Sequence, residues 1–590
     1  MAVTEERQVL ERGEAVTTIS SLQSLKLGAR YMVSSAHYLA TAAGVRILER
    51  GGNAADAGVA AGLVINVVEP HLTNFGGVAP IIFARADGHV ETISGLGRWP
   101  KAATLDAVRE RGGGDLPPGI LRTITPAAVD AWITALARFG SMSFAQIAEP
   151  AIDLAENGFP VYRRLSSSIE RSAETLRRWP SSAQIFLPRG RPPTLGERLV
   201  QSDLARLLRR LAGAESAADG DRAACLTAAR DEFYRGEPAR RMAEFCQAQG
   251  GFLTERDLAD FAVKVEPPER VTYKDYEVLS CGPWCQGPIL LQFLAIIEQA
   301  DVPALGHNSA RYLHLLAETI KLVMADRERY YGDPEHVDVP MVGLLSWEYA
   351  AERRAQIDPN HAAPGLPAPG DPWPYLGRRG TRGDLARPVV LDGPRPPDTS
   401  YSCAVDADGN AFSATPSDPG FSSPIVPGLG ILISSRGSQS WLDPGHASAV
   451  APWKRPRLTP NPAMVLKDGR PYMPFGCPGG DAQTQAMLQV FLNHVEFGMD
   501  PQQAVEAPRV ISWSFPNSFW PHAYRPGVLA VENRIPAETR AELAQLGHLV
   551  EEWPAFTPAA AGVCAIQVDP TTGVRVGGAD PRRESVALGW

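Results

Sequence analysis

The sequence predicts a layered fold of α-helices and β-strands, not a helix bundle or an all-β sandwich. Three observations point there. Strand-like runs lie on both sides of helix-rich stretches. The run Ala54–Val68 has the composition of a helix but little polar face, so it must be covered all round. Two Asp-Gly pairs, Asp87-Gly88 and Asp408-Gly409, sit between apolar runs where hairpins turn.

Taken in order, residues 1–30 read as a tail with some local helix. Residues 37–50 suit a helix, and Gly51-Gly52-Asn53 ends it with residues that tolerate left-handed geometry. The buried Ala54–Val68 helix follows, then Gly76-Gly77 and a hairpin over residues 78–94. Residues 126–235 are mostly helical in pattern, with a polar, flexible-looking piece at 213–221. A strand is expected at 277–280, and helices at 289–299 and 309–329. Residues 359–397 are dense in Pro, Gly and Arg without hydrophobic periodicity, a poor candidate for packed structure. Strand-like sequence resumes at Thr399 and runs to Ser435, followed by strands over 463–474 and a helix over 481–496.

Composition narrows the function. Of 590 residues, 44% are hydrophobic and 21% charged, which places the chain among soluble globular proteins. A net charge of −9 argues against nucleic acid as the main partner, because phosphate recognition needs a basic surface. The longest apolar run, residues 57–68, is too short to span a bilayer, and the charged N-terminus lacks the apolar core of a signal peptide. No membrane partner is expected, and the expected location is the cytoplasm. Seven scattered cysteines suit free thiols, not a disulfide framework. Eleven histidines form neither an HExxH motif nor a tight cluster, so no catalytic metal and no cofactor are expected.

One stretch raises a question of its own. In PPDTSYSCAVDADGNAFSAT a Pro-rich approach ends at Asp398, and a strand opens on Thr399 with Ser400 and Ser402 behind it. The plain reading is a linker followed by a strand. The other is a processing site, where a flexible segment meets a nucleophilic hydroxyl.

The rest of the chain bears on that choice. Gly51-Gly-Asn-Ala-Ala-Asp56, Glu69-Pro70-His71, Gly76-Gly77, Gly251-Phe-Leu-Thr254, Gln286-Gly287 and Ala325-Asp-Arg-Glu-Arg-Tyr-Tyr-Gly-Asp-Pro334 precede it. Thr399-Ser-Tyr-Ser402, Asp406-Ala-Asp-Gly-Asn410 and Pro478-Gly479-Gly480-Asp481 follow. In this order, over roughly residues 30–590, they resemble the gamma-glutamyltransferase family. The resemblance implies an α+β fold, the four-layer αββα sandwich of N-terminal-nucleophile hydrolases, made as one chain that cuts itself. It implies that Thr399 Oγ attacks the carbonyl of Asp398, that the ester is hydrolysed, and that Thr399 becomes a new N-terminus. Behind a 1–30 tail, the chain would divide into a large part, 31–398, ending in the flexible 359–398 segment, and a small part, 399–590. The two parts stay associated; further homo-oligomerisation is left open. The cut has a chemical reason: a hydroxyl needs a base, and an α-amino group of pKa about 7.7–8 becomes one only when its peptide bond is broken. By the same resemblance Gly479 and Gly480 form the oxyanion hole, against the alternative of a tight turn. Ser417 is the hydroxyl that bonds the nucleophile, against the alternative of a turn cap.

The residues with which this family reads a glutamyl group are mostly missing. Leu96 stands where the family has an arginine for the substrate carboxylate. Arg98 lies two positions on, on the same face of a strand-like segment and about 6–7 Å away; it reads equally as a carboxylate holder or a salt-bridge residue. Pro419 replaces an asparagine, Gln439 falls near the aspartate that holds the α-amino group, and Leu458-Thr459 replaces paired serines. Leu96, Pro419 and Leu458 cannot pair with a zwitterionic head, whose unpartnered burial costs on the order of several kcal/mol. Trp99, Phe421 and Trp441 read either as core or as the lining of an acyl pocket, and Cys285 as a packed thiol. The expected function is a self-processing threonine amidohydrolase acting on a small-molecule amide whose acyl group is not a standard gamma-glutamyl; an amine acceptor in place of water would make it an acyltransferase, and the sequence does not decide between the two. Arg98, Gln439 and Thr459 remain as candidate binding residues. Two rivals stand: a gamma-glutamyl transpeptidase with a rearranged site, and a non-catalytic member that stays uncut.

Overall fold

Alternation along the strand Ser402–Val405 organises the molecule. Cys403 and Val405 enter a core shared with Met464, Leu466, Cys564 and Ile566, whereas Ala404 packs with the helices Tyr38–Glu49 and Ala54–Val68. The computed structural model describes residues 21–380, 390, 399–418 and 420–590.

Ser402–Val405 lies third in an antiparallel seven-stranded sheet ordered Val586–Gly589, Met32–Ser35, Ser402–Val405, Ala411–Ala414, Ile81–Ala84, Val90–Ile93, Val265–Glu266. A second sheet of seven strands runs Lys26–Gly28, Arg575–Ala579, Cys564–Val568, Arg470–Gly476, Ala463–Lys467, Tyr276–Ser280, Glu269–Tyr273. Their facing sides form one core. Helices Gly287–Ile297, Ala310–Tyr330 and Gln483–Val495 cover the outer face of the second sheet. Helix, sheet, sheet, helix: this is the αββα sandwich.

The Ala54–Val68 helix is buried at every residue, as its lack of a polar face requires. Asn53 and Asp56 close its first turn in a capping box. Its small residues let the sheet approach, since a Cβ on Gly58 would fall 2.0 Å from the Phe412 ring. The helix ends at Glu69, and the turn that follows reaches the residues just before the Ser402–Val405 strand.

Three expectations need correction. Within the supposed tail, Lys26–Gly28 is an edge strand paired with Arg575–Gly577 (residues 1–20 lie outside the described residues). The piece at 213–221 is a break only in its second half: the helix Ser202–Ala217 runs through Gly213, residues 218–221 are non-helical, and Asp221 caps the next helix. Residues 359–380 do pack. The Gly370 N–H donates to Asp326 at 2.8 Å, Tyr330 donates to the Gly370 carbonyl at 2.7 Å, and Trp373 is buried under Arg378. Polar side chains of the Ala310–Tyr330 helix hold this segment, so no hydrophobic period was needed to order it.

Candidate active site

Thr399 is fully buried three residues ahead of the central strand Ser402–Val405. Its N–H donates to the Leu72 carbonyl at 3.1 Å, and the Ser400 N–H to that of Pro416 at 2.9 Å. The Ser400 hydroxyl donates to Glu69. The turn after Ala54–Val68 thus grips Thr399 and Ser400, just before the strand. Thr399 has φ 74°, a left-handed conformation that a β-branched side chain adopts only at a cost of about 1–3 kcal/mol.

The Thr399 hydroxyl lies 2.7 Å from that of Ser417, so those two candidates meet. Ser417 is locked to Val78 in both directions, its N–H donating at 2.9 Å and its carbonyl accepting at 3.1 Å. Behind it, Arg436 donates to the Ser417 oxygen. The neighbouring Asp418, also buried, accepts from the hydroxyls of Ser434 and Ser435 and from the Ser435 N–H. Burial raises the Asp418 carboxyl above its ordinary range, opposed by Arg436 and the serine hydrogen bonds.

On the other side stand Gly479 and Gly480, at φ 133° and 57°. A Cβ on Gly479 would come 2.9 Å from the Ala561 Cβ, so glycine is required there twice over. The loop is held by distant residues. Gln286 donates to the Gly480 carbonyl at 2.9 Å, and Asp481 accepts from Arg327 at 2.5 Å and from the Ser518 N–H at 2.8 Å. The segments 286–287, 325–334 and 478–481, far apart in the chain, therefore converge on one loop.

Gln439 and Thr459 also meet. The Gln439 amide nitrogen donates to Thr459 Oγ at 2.8 Å, and its oxygen accepts from the Thr459 N–H at 3.3 Å. Gln439 shares the short helix Arg436–Gln439 with the arginine behind Ser417. Arg98 is not brought to this group. Its guanidinium donates to Glu335 at 3.0 Å and to the Trp453 carbonyl at 2.9 Å, with Asp333 3.7 Å away. Asp398 and Pro419 lie outside the described residues. Trp99 is core and donates to Ser440; Phe421 packs edge-on against Phe186; Trp441 is stacked between His446 and His522. The Cys285 thiol is packed against the Gly282 carbonyl.

Three side chains escaped the sequence reading. Arg436 and Gln483, whose amide lies 3.3 Å from Thr399 Oγ, have no local signature. Glu69 stands in a quoted motif, but its contact with Ser400 spans most of the chain. Burial pushes the Glu69 carboxyl up to about 8, against the Ser400 hydrogen bond that pulls it down. Histidines that are not clustered in the sequence do meet in space. His314 and His548 approach to 2.9 Å beside Glu318, because a helix and a distant turn pack together. The buried Lys321 already neutralises Glu318 there, at 2.6 Å.

Known proteins are similar to nearly the whole of this chain. The gamma-glutamyltranspeptidase family model matches residues 40–590. The glutathione hydrolase-like YwrD proenzyme of Bacillus subtilis (strain 168) is 35% identical over 567 residues, spanning 95% of this chain and 99% of that one. The acylase ACY 1 proenzyme of Pseudomonas sp. (strain SE83) is 34% identical, spanning 92% and 90%. Among solved structures, the cephalosporin acylase from Bacillus halodurans aligns with a TM-score of 0.84 at 29% identity, covering 98% of each chain.

Proposed function

This chain belongs to the gamma-glutamyltranspeptidase family, whose members here are amide hydrolases made as proenzymes, and on that premise we propose that Thr399 is both its cleavage site and its nucleophile. One observation carries the reading. The Thr399 hydroxyl is buried just ahead of the central strand, on a strained backbone, 2.7 Å from a serine hydroxyl that a buried arginine holds.

In the precursor, Thr399 Oγ attacks the carbonyl carbon of residue 398, the C–N bond breaks, and water hydrolyses the resulting ester. The freed amino group then accepts the hydroxyl proton as Thr399 attacks a substrate amide, and passes it to the leaving amine. Charge gathers on the acyl oxygen. We assign the backbone N–H groups of Gly479 and Gly480 to it, each such donor typically worth about 2.7–4 kcal/mol. Water finally releases the acyl group.

We infer further that the acyl group is not a standard gamma-glutamyl. What supports this is the state of the side chains around it. An α-carboxylate brought to Arg98 would compete with two carboxylates already there, and Gln439 and Thr459 satisfy one another as a neutral pair. These two are the groups we assign to the acyl chain's polar atoms. The name of ACY 1, an acylase, is in keeping with such a substrate.

The test is intact mass measurement and N-terminal sequencing of the purified protein. A fragment beginning Thr-Ser-Tyr-Ser supports the nucleophile; an uncut chain that still hydrolyses amides sinks it. Preference for gamma-glutamyl-p-nitroanilide over neutral acyl anilides would sink the substrate reading alone.

A further inference from the structure

Gln483, the first residue of the helix Gln483–Val495, is fully buried between the nucleophile and the glycine pair. Its amide suits all three of its partners in one sense only. With the oxygen turned inward, it accepts from the Gly480 N–H at 3.2 Å and from the Thr399 hydroxyl at 3.3 Å, while the nitrogen donates to the Cys477 carbonyl at 3.2 Å. Turned the other way, the oxygen faces the Cys477 carbonyl and the nitrogen faces the Gly480 N–H, and of the three contacts only the one to the Thr399 hydroxyl is kept.

That orientation allows a chain of hydrogen bonds running one way. Arg436 donates to Ser417, either hydroxyl can donate between Ser417 and Thr399, and in the sense where Ser417 is the donor Thr399 is left to donate to Gln483. Two consequences follow. The Thr399 hydroxyl proton is then directed at the Gln483 oxygen. A neutral carbonyl oxygen, sitting close to the nucleophile, also occupies the N–H of Gly480. An amide oxygen accepting a backbone N–H beside the Thr399 hydroxyl is what a substrate's acyl oxygen would be. A buried N–H left without a partner costs about 1–3 kcal/mol, which gives the side chain a reason to be there while the site is empty.

We propose that Gln483 is a catalytic residue that occupies the oxyanion position in the resting site, and that the acyl oxygen of the substrate must displace it. The proposal rests on the assignment of Thr399 and Gly480 above. Displacement exchanges one neutral hydrogen bond for another, so the side chain weakens substrate binding and frees the Thr399 proton only once the acyl oxygen has arrived. Water is thereby kept from the Gly480 donor between turnovers.

The experiment compares Gln483→Met and Gln483→Glu with the wild type, using the neutral acyl-p-nitroanilide that the wild type turns over fastest. Mass measurement first establishes that each protein has cleaved before Thr399. Methionine keeps the length and removes the acceptor. KM should fall roughly 3- to 10-fold, the worth of one neutral hydrogen bond, with kcat within about twofold. Glutamate keeps the shape but holds Gly480 by a charge-assisted bond and repels the oxyanion, so kcat/KM should fall more than about 10-fold. A methionine variant with unchanged KM and reduced kcat would show a side chain that only orients the hydroxyl, and would overturn the proposal; so would a glutamate variant that matches the wild type. An uncut wild type instead removes the assignment of Thr399 itself.

Discussion

The guanidinium of Arg436 donates to the hydroxyl oxygen of Ser417, and both side chains are fully buried. A fixed cation therefore sits one hydroxyl behind Thr399 and close enough to Asp418 to lower its carboxyl. Arg436→Met removes the cation facing that buried carboxyl and leaves it to the Ser434 and Ser435 hydrogen bonds, a loss that typically costs about 3–5 kcal/mol. Chemical denaturation should show the loss, and the added change Asp418→Asn should recover part of it. Full additivity of the two changes would disprove the pairing.

Thr399→Ala should remain a single chain by intact mass and show no amidase activity. Thr399→Ser keeps the hydroxyl and should cleave more slowly, since it loses the methyl group that helps fix the rotamer. Ser417→Ala should slow cleavage by about 10- to 100-fold while leaving the fold intact, the range expected when one positioned group is lost. Cleavage of the alanine variant at position 399 would rule out this nucleophile.

Glu69 predicts a pH dependence of stability. Burial lifts its carboxyl to about 8, well above the value of the unfolded chain. Between the two values the folded protein binds a proton that the unfolded chain does not, so stability falls as pH rises from about 4.3 to 8. Glu69→Gln should flatten that part of the curve in urea titrations of the Thr399→Ala precursor. Glu328 acts with the opposite sign. Burial would raise its carboxyl, but Arg457 and Arg327 outweigh this and hold it well below its ordinary range. Its contribution is present above pH 4.3 or so and fades in acid, so Glu328→Gln should blunt the acid limb instead. If both curves shift without changing shape, the two assignments fail.

Gly479→Ala combines a φ of 133° with a Cβ placed 2.9 Å from that of Ala561. The loop must move, at a cost of about 1–3 kcal/mol. The expected result is a lower midpoint of thermal unfolding and a fall in kcat larger than the rise in KM. Wild-type kinetics would show that this backbone does not face the acyl oxygen.

Features written in neighbouring residues could be read directly: the hairpin at Asp87-Gly88, the faceless Ala54–Val68 helix, and the hydroxyl that precedes a strand after a Pro-rich approach. The four-layer arrangement itself came from ordered motifs and not from periodicity. Contacts across hundreds of residues were silent. Nothing near Arg436 says that it reaches Ser417, and nothing near Arg98 says that Glu335 and Asp333 already hold it. His314 and His548 are 234 residues apart and meet only through packing. The ordering of residues 359–380 escaped because it relies on buried polar groups such as Asp326, which leave no hydrophobic pattern.

Strands from either side of Thr399 are interleaved. Met32–Ser35 lies between Val586–Gly589 and Ser402–Val405, Ala411–Ala414 pairs with Ile81–Ala84, Lys26–Gly28 with Arg575–Gly577, and Ala463–Lys467 with Tyr276–Ser280. A molecule nicked at this point would survive any dilution as one particle, because its halves separate only by dissolving both sheets. Its ageing would follow a one-way clock. Refolding after the nick needs two strangers to find each other in solution, a search that the newborn chain never had to make.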